Sequence, residues 1–359
     1  MTKYEEFSLA AIQAASMYFD REGSTEKACR LIQEAAERGA TLAAFAETWL
    51  PGYPFFHGNR DTNPALYWKA AAAYLANAVE IPSPTTDRLC QAAARAGIDV
   101  VIGLAELDQR TKGTVYCTLL FISRDGEILG RHRKLKPTAT ERAIWGDGDA
   151  RGLTVYQRPY GRISGLNCWE HNMVLPGYAL MAQGTQIHIA AWPGREPTQA
   201  PPAPIAVWPR QLLLSRAFAS QAGCYVVLVG GLRSAEDVPE WCRDLATPLT
   251  QFTGDSYIID PRGEVIAGPA AGETILVAQG SMEAVFAAKA GCDVTGHYAR
   301  PDIFQLLVHG RPVVPEAETD RSKAIASAAP GSSMGLDFAT ILQTVEDRPE
   351  VQQAEGEQT

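Results

Sequence analysis

Short apolar runs alternate along the chain with stretches whose apolar positions recur every three to four residues, and polar turn residues separate them. That pattern predicts strands and amphipathic helices in turn. Strands are expected at 7–14, 41–46, 99–104, 162–167, 186–191, 224–229 and 274–278. Helices are expected at 25–38, 86–96, about 175–183, 204–221 and 282–290. For the first helix, Ser24 is the expected N-cap and Gly39 the stop. Two hairpins are expected, 115–123 with 127–133 across an Arg-Asp-Gly turn, and 256–259 with 264–267 across Asp-Pro-Arg-Gly. Strands alternating with helices, mixed with hairpins, indicate an α/β layered domain with a mixed sheet, and the two hairpins are compatible with two stacked sheets.

Composition narrows this reading. The 359 residues are 46% hydrophobic and 20% charged, enough for a large core. The formal net charge of −9 argues against a nucleic-acid partner, which needs basic surface to neutralise phosphates. Nine acidic against three basic residues fall after position 314, so the body is nearly neutral and the C-terminal segment acidic. That segment is rich in Ala, Ser, Gly, Glu and Gln and reads as a partly disordered extension, with a short helix expected at 337–346. We therefore expect one domain over 1–310 and an extension over 311–359. The seven cysteines are odd in number, widely spaced and without a CxxC pair, which disfavours a disulfide framework and a zinc site. Neither a signal pattern nor a run of about 18 apolar residues is present, so no membrane partner and a cytoplasmic location are expected.

Three of the apolar runs end in a reactive polar residue: the second in Glu47, the first hairpin's return strand in Lys134, and the run from Arg162 in Cys168. Strand ends on one edge of a sheet converge in space although far apart in sequence. Taken singly, each residue has an ordinary structural reading as a solvated loop acid, a surface base or a buried thiol. Together, a thiol, a cation and a carboxylate make a nucleophile, a charge stabiliser and a proton acceptor.

The surrounding residues resemble the nitrilase superfamily of carbon–nitrogen hydrolases. Glu47 stands between Ala46 and the run Thr48, Trp49, Leu50, Pro51, Gly52, Tyr53, Pro54; Lys134 follows His132 and Arg133 and precedes Leu135, Lys136, Pro137, Thr138. Cys168 follows Gly165, Leu166, Asn167 and precedes Trp169, Glu170, His171. These segments look like those that carry the family's catalytic glutamate, lysine and cysteine, in the family's order, and the likeness runs from about Phe7 to Val308. Cys-Trp-Glu is similar to the true nitrilase branch, as is the run from Glu141 and Arg142 through Trp145 to Asp149. Glu141, seven residues after Lys134, matches the family's second glutamate, which positions groups around the lysine; Ala139 departs from the histidine common there.

The resemblance implies a four-layer αββα sandwich with mixed sheets, pairing across a homodimer or growing into larger spirals. It implies hydrolysis of an organic nitrile by two waters to a carboxylic acid and ammonia through a Cys168 thioimidate and thioester, with Glu47 as general base and Lys134 and the Trp169 N–H stabilising developing charge. It implies no cofactor and no metal. Trp192 and Pro193 resemble residues lining the family's substrate pocket, and Trp169 and Tyr53 are further candidates for its wall. The organic group is left open, with arylaliphatic and aliphatic nitriles favoured. The alternatives are a cyanide or nitrile hydratase releasing the amide, an amidase on the same scaffold, an inert assembly protein, and a thiol hydrolase pairing Cys168 with His171.

Overall fold

Apolar strands with opposite pleat faces both buried need cover on both sides, and here they obtain it by stacking two sheets. The computed structural model describes residues 4–195, 207–234, 236–246, 252–308 and 311–312. In chain order the elements are β1 (Phe7–Gln13), α1 (Arg21–Glu37), β2 (Leu42–Phe45), α2 (Pro64–Asn77), α3 (Pro84–Ala96), β3 (Asp99–Leu107), β4 (Val115–Ile122), β5 (Ile128–Arg133), β6 (Tyr156–Arg158) and β7 (Gly161–Asn167). There follow α4 (Val174–Ala182), β8 (Ile187–Trp192), α5 (Val207–Ala222), β9 (Tyr225–Gly230), β10 (Leu232–Arg233), β11 (Phe252–Thr253), β12 (Tyr257–Ile259), β13 (Val265–Ala267), β14 (Thr274–Gly280) and α6 (Met282–Gly291).

The first sheet has the order β14-β1-β2-β3-β4-β5 and the second β13-β12-β9-β8-β7-β6. In each, three parallel strands are joined to antiparallel ones: β1, β2 and β3 in the first, β7, β8 and β9 in the second. Each expected hairpin lies at the edge of its own sheet, β4–β5 and β12–β13. Strand β14 returns to the first sheet and pairs along all seven residues of β1. Helices α1 and α3 bury Ala28, Leu31, Ile32, Leu89 and Ala93 against the first sheet, while α5 buries Phe218, Ala219 and Ala222 with α4 against Val226 and Leu228 of the second. The sheets meet face to face, so the order of layers is helix, sheet, sheet, helix, as the resemblance implies.

Two local expectations are corrected. Helix α1 starts four residues earlier than expected, capped by Asp20, whose Oδ1 accepts from the Gly23 N–H at 2.9 Å. Ser24 lies inside the helix, buried, its hydroxyl exchanging hydrogen bonds with the Met17 main chain. Helix α2 is an addition to the expected elements; Asn63 caps it and Pro64 opens it, and it buries Tyr67, Ala70 and Tyr74. The expected helix at 337–346 and the acidic extension lie outside the described residues, as do residues 204–206 ahead of α5.

Candidate active site

Strand β5 runs antiparallel to β4, which runs antiparallel to β3, so β5 points the same way as β2. Their C-terminal ends therefore share one edge of the first sheet, and Glu47 and Lys134 stand there, just past each strand. Cys168 leaves β7 in the facing sheet at once, opening a 3₁₀ turn over Cys168–Asn172. The Glu47 N–H donates to the Trp192 carbonyl at 3.2 Å, tying the end of β2 to the end of β8 across the sandwich. Gly103 on β3 is required here, since a Cβ would sit 2.1 Å from the Ala46 carbonyl oxygen.

All four candidate catalytic residues come together, buried. The Lys134 ammonium donates to Glu47 Oε1 at 2.7 Å and to Glu141 Oε2 at 2.8 Å. Tyr53 donates its hydroxyl proton to Glu141 Oε1 at 2.6 Å, and the Thr138 N–H donates to Glu141 Oε2 at 2.6 Å. Ligand atoms of Glu47, Glu141 and Cys168 lie within 4.8 Å of one another. Such a group could in principle hold a cation, but the Lys134 ammonium already stands between the two carboxylates.

The electrostatics separate the two acids. Burial pushes the Glu47 carboxyl up to about 7, against the opposing pull of Lys134, and the Glu141 charge adds to the rise. Burial also opposes ionisation of Glu141, but Lys134, Tyr53 and the Thr138 N–H together hold it below its ordinary value. Lys134 is desolvated too, yet Glu47, Cys168 and Glu141 keep it well above its usual range, so it is a fixed cation. The Cys168 thiol is raised well above its ordinary value by burial and by Glu47, with Lys134 opposing. Cys168 therefore rests as a neutral thiol, which needs a base if it is to act as a nucleophile.

Glu47 Oε1 carries a second donor, the Cys117 thiol at 3.2 Å, while Glu47 Oε2 makes no hydrogen bond. Cys117 lies on β4, between the strands that carry Glu47 and Lys134, and its carbonyl accepts the Lys134 N–H at 2.7 Å. One residue thus holds both partners, and it leaves a single carboxylate oxygen uncommitted.

Cys168 has φ +51 and Thr48, next to Glu47, φ +40. Both are left-handed conformations that non-glycine residues hold only where the surroundings enforce them. Around Cys168 the enforcement is visible. The Cys168 carbonyl accepts from His171 Nδ1 at 2.8 Å, and His171 Nε2 lies 3.1 Å from His188 Nε2. His188 Nδ1 lies 2.8 Å from the Ser164 hydroxyl. A carbonyl only accepts, so His171 carries its proton on Nδ1, His188 donates from Nε2, and Ser164 donates to His188. Burial drives both imidazoles neutral, His171 down to about 4 and His188 well below its ordinary value.

Glu170 joins the two halves. Its carboxylate takes the Asn167 N–H at 2.8 Å, the Leu135 N–H at 2.8 Å and His132 Nε2 at 2.9 Å. Burial works against its ionisation, but His132 and the two backbone donors hold it below the ordinary value. It therefore bolts the residue before Cys168 to the residue after Lys134.

The candidate wall residues divide. Tyr53 is within the cluster. Trp169 is half-buried, edge-on to Trp192 at 6.5 Å, with Arg210 over its ring. Trp192 is wholly buried and stacks on His171 at 5.1 Å, and Pro193 is buried beside it. Sequence reasoning missed the parts played by Cys117, Glu170, His132 and His188. The Cys-Trp-Glu run contains Glu170, but nothing local says that its partners are His132 and Leu135.

A carbon-nitrogen hydrolase family model matches residues 8–290. The chain is 54% identical over 313 residues to Nitrilase 2 of an unknown prokaryotic organism, covering 86% of this chain and 94% of that protein. It is 36% identical to an aliphatic nitrilase of Rhodococcus rhodochrous, over 86% of this chain and 84% of that one. The structure of a carbon-nitrogen hydrolase from Helicobacter pylori superposes with a TM-score of 0.66 at 18% identity, over 84% of this chain and 97% of that one. The chain belongs to the carbon–nitrogen hydrolase (nitrilase) family.

Proposed function

From that membership we propose that the protein is a nitrilase, converting an organic nitrile and two waters to a carboxylic acid and ammonia. The observation that carries the reading is the buried set in which Lys134 bridges Glu47 and Glu141 beside the Cys168 thiol. Identity to Nitrilase 2 and to an aliphatic nitrilase supports nitriles as the substrate class.

In this mechanism the Cys168 proton passes to Glu47 Oε2, the uncommitted oxygen, as sulfur attacks the nitrile carbon. The nitrile nitrogen takes that proton from Glu47, giving a thioimidate and freeing the carboxylate, and Lys134 with the Trp169 N–H stabilises the charge that develops on the nitrogen. Water loses a proton to Glu47 and adds to the thioimidate carbon; the nitrogen leaves as ammonia and a thioester remains. A second water, again activated by Glu47, releases the acid and restores the thiol. A carboxyl raised to about 7 suits this duty, because it accepts a proton readily yet is about half ionised at neutral pH and largely ionised above it. Glu141, held ionised, keeps Lys134 charged and fixed.

The same reading includes a homodimer or larger homo-oligomer, a cytoplasmic setting, and a division into the hydrolase domain 1–310 and extension 311–359. Val174 and Leu175, 80% and 63% exposed at the start of α4, and Leu213, 63% exposed on α5, support burial against a second copy. No helix of the described residues is long and apolar enough to cross a membrane.

The test is hydrolysis of a panel of aliphatic, arylaliphatic and aromatic nitriles, with ammonia, acid and amide all measured. The wild type releases acid and ammonia; Cys168→Ala abolishes both while keeping the wild-type circular dichroism spectrum. Amide as the main product would move the assignment to a hydratase, and undiminished turnover by Cys168→Ala would overturn it.

A further inference from the structure

Arg233 carries a charge that the fold does not neutralise. The residue is 2% exposed, and none of its three guanidinium nitrogens makes a hydrogen bond. Its guanidinium carbon lies 5.2 Å from the centre of the Phe55 ring and 5.3 Å from that of Phe252. Aromatic faces attract a cation but offer no acceptor for its five N–H donors. Asp237, whose charge is felt at Arg233, turns its carboxylate to the Ser234 N–H at 2.6 Å and forms no ion pair with it. Burial lowers the basicity of the guanidinium, with Tyr18 and Asp237 only partly offsetting it. Elsewhere in the core the buried acids Asp99 and Glu106 are bound by arginines at 2.8 and 2.5 Å, so pairing is the rule in this chain. An unpaired buried cation needs a reason.

Its location supplies one. The parallel strands β7, β8 and β9 end side by side, and the C-terminal edge of such strands is where ligands bind in open α/β sheets. Cys168 follows β7, Trp192 closes β8, and Arg233 follows β9 by three residues. A Cβ on Gly231 would meet the Pro193 carbonyl oxygen at 2.4 Å and Ala46 Cβ at 3.5 Å, so this turn touches the residue before Glu47. Phe252, which flanks Arg233, packs edge-on against Tyr53 at 5.4 Å, and Tyr53 is the residue bonded to Glu141.

We propose that Arg233 is the anion-recognition residue of the substrate site, and that the preferred substrates are nitriles bearing a carboxylate remote from the cyano group. This inference rests on the nitrilase reading and names its substrate class. A planar carboxylate matches the guanidinium fork with two parallel hydrogen bonds, and the flanking rings exclude the water that would weaken them.

The test compares ω-cyanoalkanoates of increasing length with their methyl esters and with uncharged alkyl nitriles. At one chain length the carboxylate exceeds its ester in kcat/KM by about tenfold to a hundredfold, mostly through KM. Arg233→Met brings that ratio close to one, and Arg233→Lys retains part of it. Turnover of uncharged nitriles with no length at which the carboxylate is favoured overturns the proposal, as does a preference that survives in Arg233→Met. Should Arg233→Met fail to fold, the wild-type ratio decides alone. Thermal stabilisation of Cys168→Ala by the cyanoalkanoates, and not by the esters, gives a readout independent of turnover. Hydrolysis of neither series would overturn the nitrilase reading, and the stabilisation assay would still decide on Arg233.

Discussion

The two sheets bring unlike halves to one site. The first contributes Glu47, Lys134 and Glu141, an ammonium bridging two carboxyl groups. The second contributes Cys168, backed by His171, His188 and Ser164, a chain of neutral groups whose hydrogen bonds all run one way. Apart from the partly exposed His171 both halves are buried, and they differ in charge. In the proposed mechanism the charged half moves protons and stabilises charge, whereas the neutral half holds a left-handed backbone still. A buried charge needs partners to offset its desolvation, and Lys134 with its two carboxylates supplies them to each other.

Removing the cation breaks this contrast most severely. Lys134→Met leaves Glu47 and Glu141 facing each other without a counterion. We expect kcat to fall by roughly a thousandfold or more and stability by about 3–5 kcal/mol, read by ammonia release and denaturant unfolding. Retention of a tenth of the activity would mean that the charged half is not the working half.

The pH profile sharpens the division between the two acids. Glu47 must be ionised to accept the thiol proton and is pushed up to about 7, so kcat/KM falls as pH drops through that value, by about tenfold per unit below it. Cys117→Ala removes a donor from Glu47 and shifts the limb to higher pH, whereas Cys117→Ser keeps the donor and the wild-type limb. A limb below pH 5, or one indifferent to Cys117, would contradict this ordering of the acids.

Glu170→Gln probes the joint between the halves. The isosteric amide loses the charge that holds His132 and two backbone N–H groups, and about 1.5–3 kcal/mol of stability is expected to go with it. Turnover falls with it, because Cys168 and Lys134 lose their common tie; denaturant unfolding and ammonia release measure the two losses side by side.

The smallest effect on turnover is expected in the neutral half. His171 is depressed from 6.5 to about 4, so between those values the unfolded chain binds a proton that the folded one refuses, and stability falls as pH falls. The linkage is on the order of 3 kcal/mol once pH is below 4. His171→Phe removes that contribution, and urea unfolding between pH 7 and 4 should show a shallower loss; an unchanged slope would mean that His171 titrates normally.

Much of the fold and of the site is legible in the sequence. The strands leading to Glu47 and Cys168 are apolar runs bounded by polar residues, and the one leading to Lys134 is marked by the Arg124-Asp125-Gly126 turn of its hairpin. Helix α2 escapes such a reading because alanine fills six of its fourteen positions and blurs the apolar stripe, although Asn63 and Pro64 mark its start. Ser24 reads as a cap because its residue type suits one, while Asp20 forms the cap four residues upstream.

The chain's own pattern determined the layers, the strand ends and the family, since apolar period, turn residues and short motifs are local properties. The resemblance already pointed to Glu47 as the base, but only the tertiary structure set the two acids apart electrostatically. Glu47 and Glu141 are the same residue type with the same ordinary acidity, and they part because Glu141 collects three donors while Glu47 keeps one oxygen free in a dry cluster. Arg233 shows the same limit, for in the sequence it is one arginine among many, and its meaning comes from burial without a partner.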